Sequence, residues 1–349
     1  MKLALEPKAV IAPGVQVSCA RFSPCGKFLL APGFDSAVHR WDVTGDQPAP
    51  LASVNGHHAW ATDIAFHPDG GLAVSSDSWG QLRAWDYAAE SPEPRWVVAE
   101  AHDGWIRSIA MSPDGQTLAT CGRDRQVKLF ATETGRPIRE FGTQDEDVFG
   151  VAFHPSGQWL VSGDLKGNVV QWECATGNKI RRFEAPDLYL YSYIQDVGGV
   201  RRFAFSPDGR SLAVAGAKPA SGGFVKGSAL VYLFDFESGE TLDKMVLGKP
   251  DADVFAHDLF FHPSGAIVAA TSGQPGQGSL IVHRPGEPES ELVYNKGLTN
   301  CHSVCLHPDG QSIALSSTNS GSNGNGRRLV DGEYQGNHSP IHLFTLSEG

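Results

Sequence analysis

Ser23-Pro24-Cys25-Gly26, His67-Pro68-Asp69-Gly70, Ser112-Pro113-Asp114-Gly115, His154-Pro155-Ser156-Gly157, Ser206-Pro207-Asp208-Gly209, His262-Pro263-Ser264-Gly265 and His307-Pro308-Asp309-Gly310 are seven copies of one tetrapeptide, (Ser/His)-Pro-x-Gly. From proline to proline the steps are 44, 45, 42, 52, 56 and 45 residues, so the period runs through the whole 349-residue chain. Proline presets φ near about −65° and glycine tolerates the positive φ that closes a tight turn, so each copy predicts a hairpin. Apolar segments flank the turns: Ile64-Ala65-Phe66, Ile109-Ala110-Met111, Val151-Ala152-Phe153 and Phe203-Ala204-Phe205 before them, Leu118-Ala119-Thr120 and Trp159-Leu160-Val161 after them. A third strand ends in an aromatic, as in Arg40-Trp41-Asp42, Ala84-Trp85-Asp86, Leu129-Phe130, Gln171-Trp172-Glu173 and Leu233-Phe234-Asp235. A fourth follows, as in Pro137-Ile138-Arg139-Glu140-Phe141 and Lys179-Ile180-Arg181-Arg182-Phe183. Four short strands per repeat make one blade of a β-propeller.

Composition agrees with a folded repeat protein. Hydrophobic residues make up 41% and charged residues 19%, too apolar for disorder. The net charge is −11 and no Lys/Arg-rich run could neutralise a row of phosphates, so nucleic acid is not an expected partner. There is no run of about 18 apolar residues to span a membrane, and the start Met1-Lys2-Leu3-Ala4-Leu5-Glu6-Pro7-Lys8 lacks the apolar stretch of a signal peptide. A cytoplasmic protein without membrane partners is the expectation. The six cysteines, Cys19, Cys25, Cys121, Cys174, Cys301 and Cys305, show neither the close pairs of a zinc site nor disulfide density. They read as thiols, and no cofactor is expected.

These residues resemble the WD-repeat (WD40) family, in which a Gly-His pair, a Ser-Pro-Asp-Gly turn and a Trp-Asp ending recur at this spacing. Gly56-His57 and Trp85-Asp86 mark the best-preserved repeat, whereas the one ending at Val282-His283-Arg284 has lost the Trp-Asp. The resemblance covers essentially the whole chain and implies an all-β, seven-bladed WD40-type propeller as a single domain over residues 1–349. It also implies a buried hydrogen-bond chain within each blade, joining a His, a Ser/Thr, an Asp and the Trp. The third repeat supplies His102, Thr120 and Asp124, with Phe130 in place of the Trp. The second keeps His57, Ser75 and Trp85, but has Trp79 at the Asp position and Asp77 two residues earlier. The first keeps Asp35 and Trp41, with Ala31 where the Ser/Thr belongs. A His-Ser-Asp set also suggests a nucleophilic triad. Repetition blade after blade favours the structural reading.

The last repeat stops at its third strand, Ile341-His342-Leu343-Phe344-Thr345-Leu346. The otherwise unassigned residues 1–14 are expected to supply its fourth strand and close the ring, which removes an open edge.

Function is expected where the repeats differ. One face carries the Pro-x-Gly turns. The other carries the blade-to-blade connections and the turns between second and third strands, and every enlarged loop falls there: Lys218 to Gly227 with Phe224, Ser272 to Gly278, Ser317 to Pro340 with Arg327 and Tyr334, and the connection Ala185 to Asp196 with Tyr189, Tyr191 and Tyr193. Aromatic and arginine side chains concentrate interface energy. Trp60, Trp105, Arg107, Phe149, Arg201 and Phe255 on the same face join the candidate partner-binding set. For the tyrosines, recognition competes with a strand extension that covers the blade edge. The leading functional reading is a non-catalytic scaffold for protein or peptide partners on the face with the long loops of blades 5–7, including a subunit role in a larger complex. The alternative is a propeller enzyme or a small-ligand or metal-binding protein, in which His57, His58, His102, His257 and His302 meet Asp63 or Asp258 near the channel. No GxSxG, HExxH or GxxxxGK[ST] signature is present.

Overall fold

In all seven tetrapeptides the glycine amide donates to the carbonyl of the leading Ser or His at 2.8–3.0 Å, with glycine φ between 71° and 85°. The turns therefore hold the dihedrals that Pro and Gly prefer, and each joins two antiparallel strands. A computed structural model describes residues 3–192, 194–221, 226–273, 276–319, 328–330 and 333–348. Seven four-stranded antiparallel sheets, six of them simple meanders, stand around a central channel as propeller blades. Their innermost strands begin at Arg21, Ala61, Ile106, Val148, Val200, Phe255 and Ser303. From blade 2 to blade 7 each innermost strand packs beside the next, that of blade 7 meets that of blade 1, and the second strand of blade 1, Phe28–Pro32, meets the innermost strand of blade 2.

Seven apolar clusters lie between the blades, one at each junction. Alternation along one strand feeds two of them. Ala73 packs toward blade 1 and Val74 toward blade 3. Hence the second strands Leu72–Asp77 and Ile267–Ser272 are buried at every position, and their sequences read as continuous apolar or small runs.

The ring is closed as expected. Leu3–Ile11 pairs antiparallel with Ile341–Glu348, completing blade 7 from the other end of the chain. Leu3 and Ile11 enter the clusters on either side of that blade. The opposite face adds a second closure: His307 Nε2 donates to the Gly26 carbonyl at 2.7 Å, from the turn of blade 7 to the turn of blade 1. His154 to Gly209 (3.0 Å) and His262 to Gly310 (3.3 Å) repeat this staple between blades 4 and 5 and blades 6 and 7.

Two expected loops are ordered secondary structure. In the stretch from Lys218 to Gly227, read as a swollen turn from its Pro, Ser and Gly content, the described residues instead prolong the strands Ser211–Ser221 and Lys226–Asp235, paired as far as Ser221 with Lys226. Ala217 and Ala229 are fully buried and carry the apolar alternation outward. The tyrosine-rich connection forms a 3₁₀ turn, Pro186–Leu188, and a hairpin of Tyr189–Ser192 with Gln195–Gly198 that leans on this prolonged strand. In the 317–340 segment, Arg328–Val330 pairs with Glu333–Gln335.

Removing residues 1–14 should lower the melting temperature sharply, since it opens an edge and strips two clusters; an unchanged transition in calorimetry would contradict this closure. The histidine staple gives a finer test. Gly26 and Gly310 share a positive φ, 72° and 71°. A Cβ at Gly26 would stand 2.6 Å from His307 Nε2, whereas one at Gly310 meets nothing within 4 Å. Gly26→Ala should cost about 1–3 kcal/mol more than Gly310→Ala in denaturant unfolding. Equal losses would mean that the ring of His307 swings aside freely.

Candidate functional site

Five of the innermost strands enter the channel with the same irregularity. The ladder to the second strand skips one residue between Ala61 and Asp63, Ile106 and Ser108, Val148 and Gly150, Val200 and Arg202, and Ala256 and Asp258. Such a β-bulge leaves one residue unpaired and re-aims its side chain. The skipped residues are Thr62, Arg107, Phe149, Arg201 and His257. All five line one depression of about 560 Å³ at the channel mouth, joined by Ser18 from blade 1 and His302 from blade 7. Each of the seven stands six positions before its own turn proline, from Ser18 before Pro24 to His302 before Pro308.

One residue further along, Asp63, Ser108, Arg202, Asp258 and Ser303 floor the depression with a polar set. Arg202 reaches across the bore to Asp63 (3.3 Å), Asp258 (3.4 Å) and Ser108 (3.3 Å). Arg21 donates to Asp258 and Ser303, both at 2.8 Å. Each aspartate also accepts two backbone amides, Ile64 and Ile109 on Asp63, Leu259 and Val304 on Asp258, all at 3.0 Å. Two guanidinium groups thus balance two carboxylates and tie blades 1, 2, 5 and 6 across the channel. The Cys19 thiol donates to Asp63 at 3.6 Å and is pushed up to about 12 by burial.

Above this floor runs an arc of rings and guanidinium groups. Phe34 stacks on Trp60 (4.9 Å), and Trp60 meets the Trp105 ring edge to face (6.0 Å). Arg107 lies over Trp105 (4.1 Å) and Phe149 (4.8 Å); Arg201 lies over Phe149 (5.0 Å) and Phe255 (5.4 Å). Phe255 stacks on His257 at 5.5 Å. The arc spans blades 1 to 6 and unites six candidate residues, Trp60, Trp105, Arg107, Phe149, Arg201 and Phe255. On the same face Trp60 is 46%, Trp79 69% and Tyr191 61% exposed. These are the exposed large aromatics among the described residues.

The cations of the mouth are its arginines. Burial pushes the buried His257 down to about 3 while its Nε2 faces the Ser272 hydroxyl at 2.7 Å. Burial also lowers His302, whose Nε2 donates to the Val17 carbonyl at 3.0 Å. Both rings are therefore neutral. Arg107 pairs loosely with Asp147 at 3.5 Å. Arg201 has no carboxylate within ion-pair distance among the described residues; its one hydrogen bond runs to the Gly198 carbonyl at 3.2 Å. Burial, with Arg107 nearby, pushes Arg201 down to about 10.

Tyr189 and Tyr191 are not among the residues that line the depression. The Tyr189 hydroxyl donates to Asp196 at 2.5 Å. Tyr193, Phe224 and Arg327 lie outside the described residues, as does the Tyr334 side chain. Of the five histidines, only His257 and His302 reach the depression. His58 faces Gln81 at 3.3 Å. His57 and His102 sit in blade networks. His102 bonds Asp124 (2.9 Å) and Thr120 (2.7 Å). His57 bonds Ser75 (2.7 Å), which also accepts the Trp85 indole N–H (3.2 Å), while Asp77 supplies the acid at 3.4 Å. Blade 4 uses a residue that the sequence reading passed over: Gln144 donates to Ser162 at 2.6 Å, and Trp172 donates to the same oxygen at 2.8 Å. Asp35, grouped with these chains by position, instead accepts from His39 at 3.1 Å, because blade 1 offers neither the His nor the Ser/Thr. A second cleft, about 600 Å³, lies against the outer strands of blades 5 and 6. Its acid, Asp253, is already taken by the Thr271 hydroxyl (2.6 Å) and the Lys249 amide (3.0 Å).

Residues 9–42, 48–86, 94–130 and 135–173 match the family model of the WD domain, G-beta repeat. The target of rapamycin complex subunit wat1 of Schizosaccharomyces pombe is 25% identical over 58% of this chain and 62% of its own length. Actin-interacting protein 1 of Drosophila melanogaster is 26% identical over 72% of this chain and 37% of its own. The nuclear distribution protein PAC1 of Arthroderma otae is 26% identical over 47% of this chain and 41% of its own. The chain thus spans less than two thirds of the length of each of these relatives.

The blade networks carry a pH signature. Burial acts to raise Asp77 and Asp124, but hydrogen bonds from His57 and His102 and from backbone amides outweigh it, so both carboxyls titrate below their ordinary range. A depressed carboxyl stabilises the fold above its unfolded value, near about pH 4, and that contribution disappears as pH falls through the folded value. Asp124→Asn should cost about 1–3 kcal/mol at neutral pH and flatten the loss of stability below about pH 4. Unfolding midpoints measured across that range check it; the wild-type slope persisting in the variant would refute the assignment.

Proposed function

Because this chain belongs to the WD-repeat β-propellers, we propose that it is a non-catalytic scaffold that docks a protein or peptide segment at the mouth of its channel. The observation that carries this reading is the arc from Phe34 through Trp60, Trp105, Arg107, Phe149 and Arg201 to Phe255 around a depression of about 560 Å³. Rigid rings and arginines around a concavity are the composition that concentrates binding energy. Within the arc, Trp60 is exposed.

A complex-bound role is consistent with the names of two relatives, a subunit of the target of rapamycin complex and an actin-interacting protein. We assign the protein to the cytoplasm; its six cysteines as free thiols support that. No helix among the described residues is long and apolar enough to cross a membrane.

The test is co-purification of the full chain from native cells. Trp60→Ala with Trp105→Ala should reduce partner recovery about tenfold or more, while the melting temperature stays within a few degrees of wild type. Glu133→Ala, in an exposed turn of the opposite face, should leave recovery unchanged. Full recovery on the double variant, or loss on Glu133→Ala alone, would overturn the reading.

A further inference from the structure

The floor of the mouth is electrically balanced, and the ring above it is not. Arg21 and Arg202 are consumed by Asp63 and Asp258. Arg107 spends one end on Asp147. Arg201 is left with a single carbonyl acceptor, although a guanidinium carries five N–H donors. The Nε atoms of both Arg107 and Arg201 are enclosed and have no hydrogen-bond partner among the described residues. Both guanidinium groups lie against the ring of Phe149, one on each neighbouring blade, so two like charges face one depression with an aromatic surface between them. Holding a cation in such a hollow without a counter-charge is costly, and a fork of unused N–H groups matches an oxyanion.

We infer that Arg201 and Arg107 form a subsite for a carboxylate presented on a peptide, whose flanking aromatic side chain packs on Phe149, Phe255 and Trp105. This rests on the docking reading above and names the chemistry that the mouth selects. A peptide fits better than a free anion. The chain carries −11 overall and repels small anions at long range, so capture needs contact energy from the rings as well as the charge. A phosphorylated side chain presents the same oxyanion on the same kind of ligand, and the test separates the two sources.

The probes are three fluorescein-labelled peptides, Gly-Phe-Glu-Phe-Gly amide and its counterparts with Gln or phosphoserine at the central position, titrated by anisotropy against the full chain. The Glu peptide should bind about tenfold or more tighter than the Gln peptide, and Arg201→Gln should erase that preference. A still tighter phosphoserine peptide, with Glu ahead of Gln, supports the subsite and identifies phosphate as its preferred oxyanion. Arg201→Gln should also leave the melting temperature unchanged or raise it, because it removes an unpaired charge; a purely structural cation–π role would lower it. Arg201→Lys keeps the charge without the fork and should fall between the two. Equal affinity for Glu and Gln, no binding of either at millimolar concentration, or an undiminished Glu preference in Arg201→Gln would overturn the inference. Co-purification keeps the two readings separate. A partner lost by the Trp60→Ala, Trp105→Ala chain but recovered in full by Arg201→Gln retires the subsite and leaves docking standing. A partner recovered equally by both retires docking itself.

Discussion

A blade of this protein has two apolar faces, and only a closed ring covers both. Single four-stranded sheets with Ala73 pointing one way and Val74 the other cannot bury themselves; each needs a neighbour on either side. The seven clusters between blades are the direct consequence, and so is the pairing of Leu3–Ile11 with Ile341–Glu348, since blade 7 would otherwise offer a bare edge beside a half-built cluster. Closure is made twice, by that strand on the rim and by His307 on Gly26 beneath. Ring geometry then forces seven strands to converge on one axis, where there is no room for regular ladders to deliver large side chains. Bulges at five of the strand entrances each turn one residue into the mouth.

What could be read from sequence follows from how tightly each feature constrains residue type. The turns were legible because their dihedrals admit few residues: Pro and Gly return at all seven, and the blade count follows. The blade networks were partly legible. His102, Thr120 and Asp124 stand where the family pattern puts them, but Asp77 reaches the same histidine position from two residues earlier, and Gln144 replaces the histidine altogether. A hydrogen bond fixes the place of an oxygen or an N–H, and several side chains can supply it. The segment from Lys218 to Gly227 misled because Pro219, Ser221 and the glycines outweighed Ala217 and Ala229, whose small buried side chains carry the alternation with little hydrophobic signal.

The mouth was half legible for a different reason. Arg107, Phe149 and Arg201 stood out by residue type, whereas Thr62 and Ser18 did not, and nothing in composition said that these five share a ring. The common coordinate is distance to the turn: six residues before each proline lies a bulge or its equivalent. A bulge is a property of the ladder, two residues against one, and leaves no mark on residue preference. It becomes visible only when seven repeats are aligned on a feature as sharp as the Pro-x-Gly turn.

That ring is free of the constraints that folding places on the blades. Its seven members are Ser, Thr, Arg, Phe, Arg, His and His, a set with no common size, charge or polarity, while the residues one step further in are held to hydrogen bonds and ion pairs across the bore. The clusters between blades carry the stability, so the mouth can hold a side chain that the fold would be better without. Arg201 is such a residue. The equivalent bulge in blade 2 carries Thr62 and that in blade 4 carries Phe149, so neither charge nor length is demanded there by packing. Its guanidinium lies over Phe149 and Phe255 with one carbonyl acceptor, and among the described residues its Nε has no hydrogen-bond partner, so packing fills the position without pairing the charge.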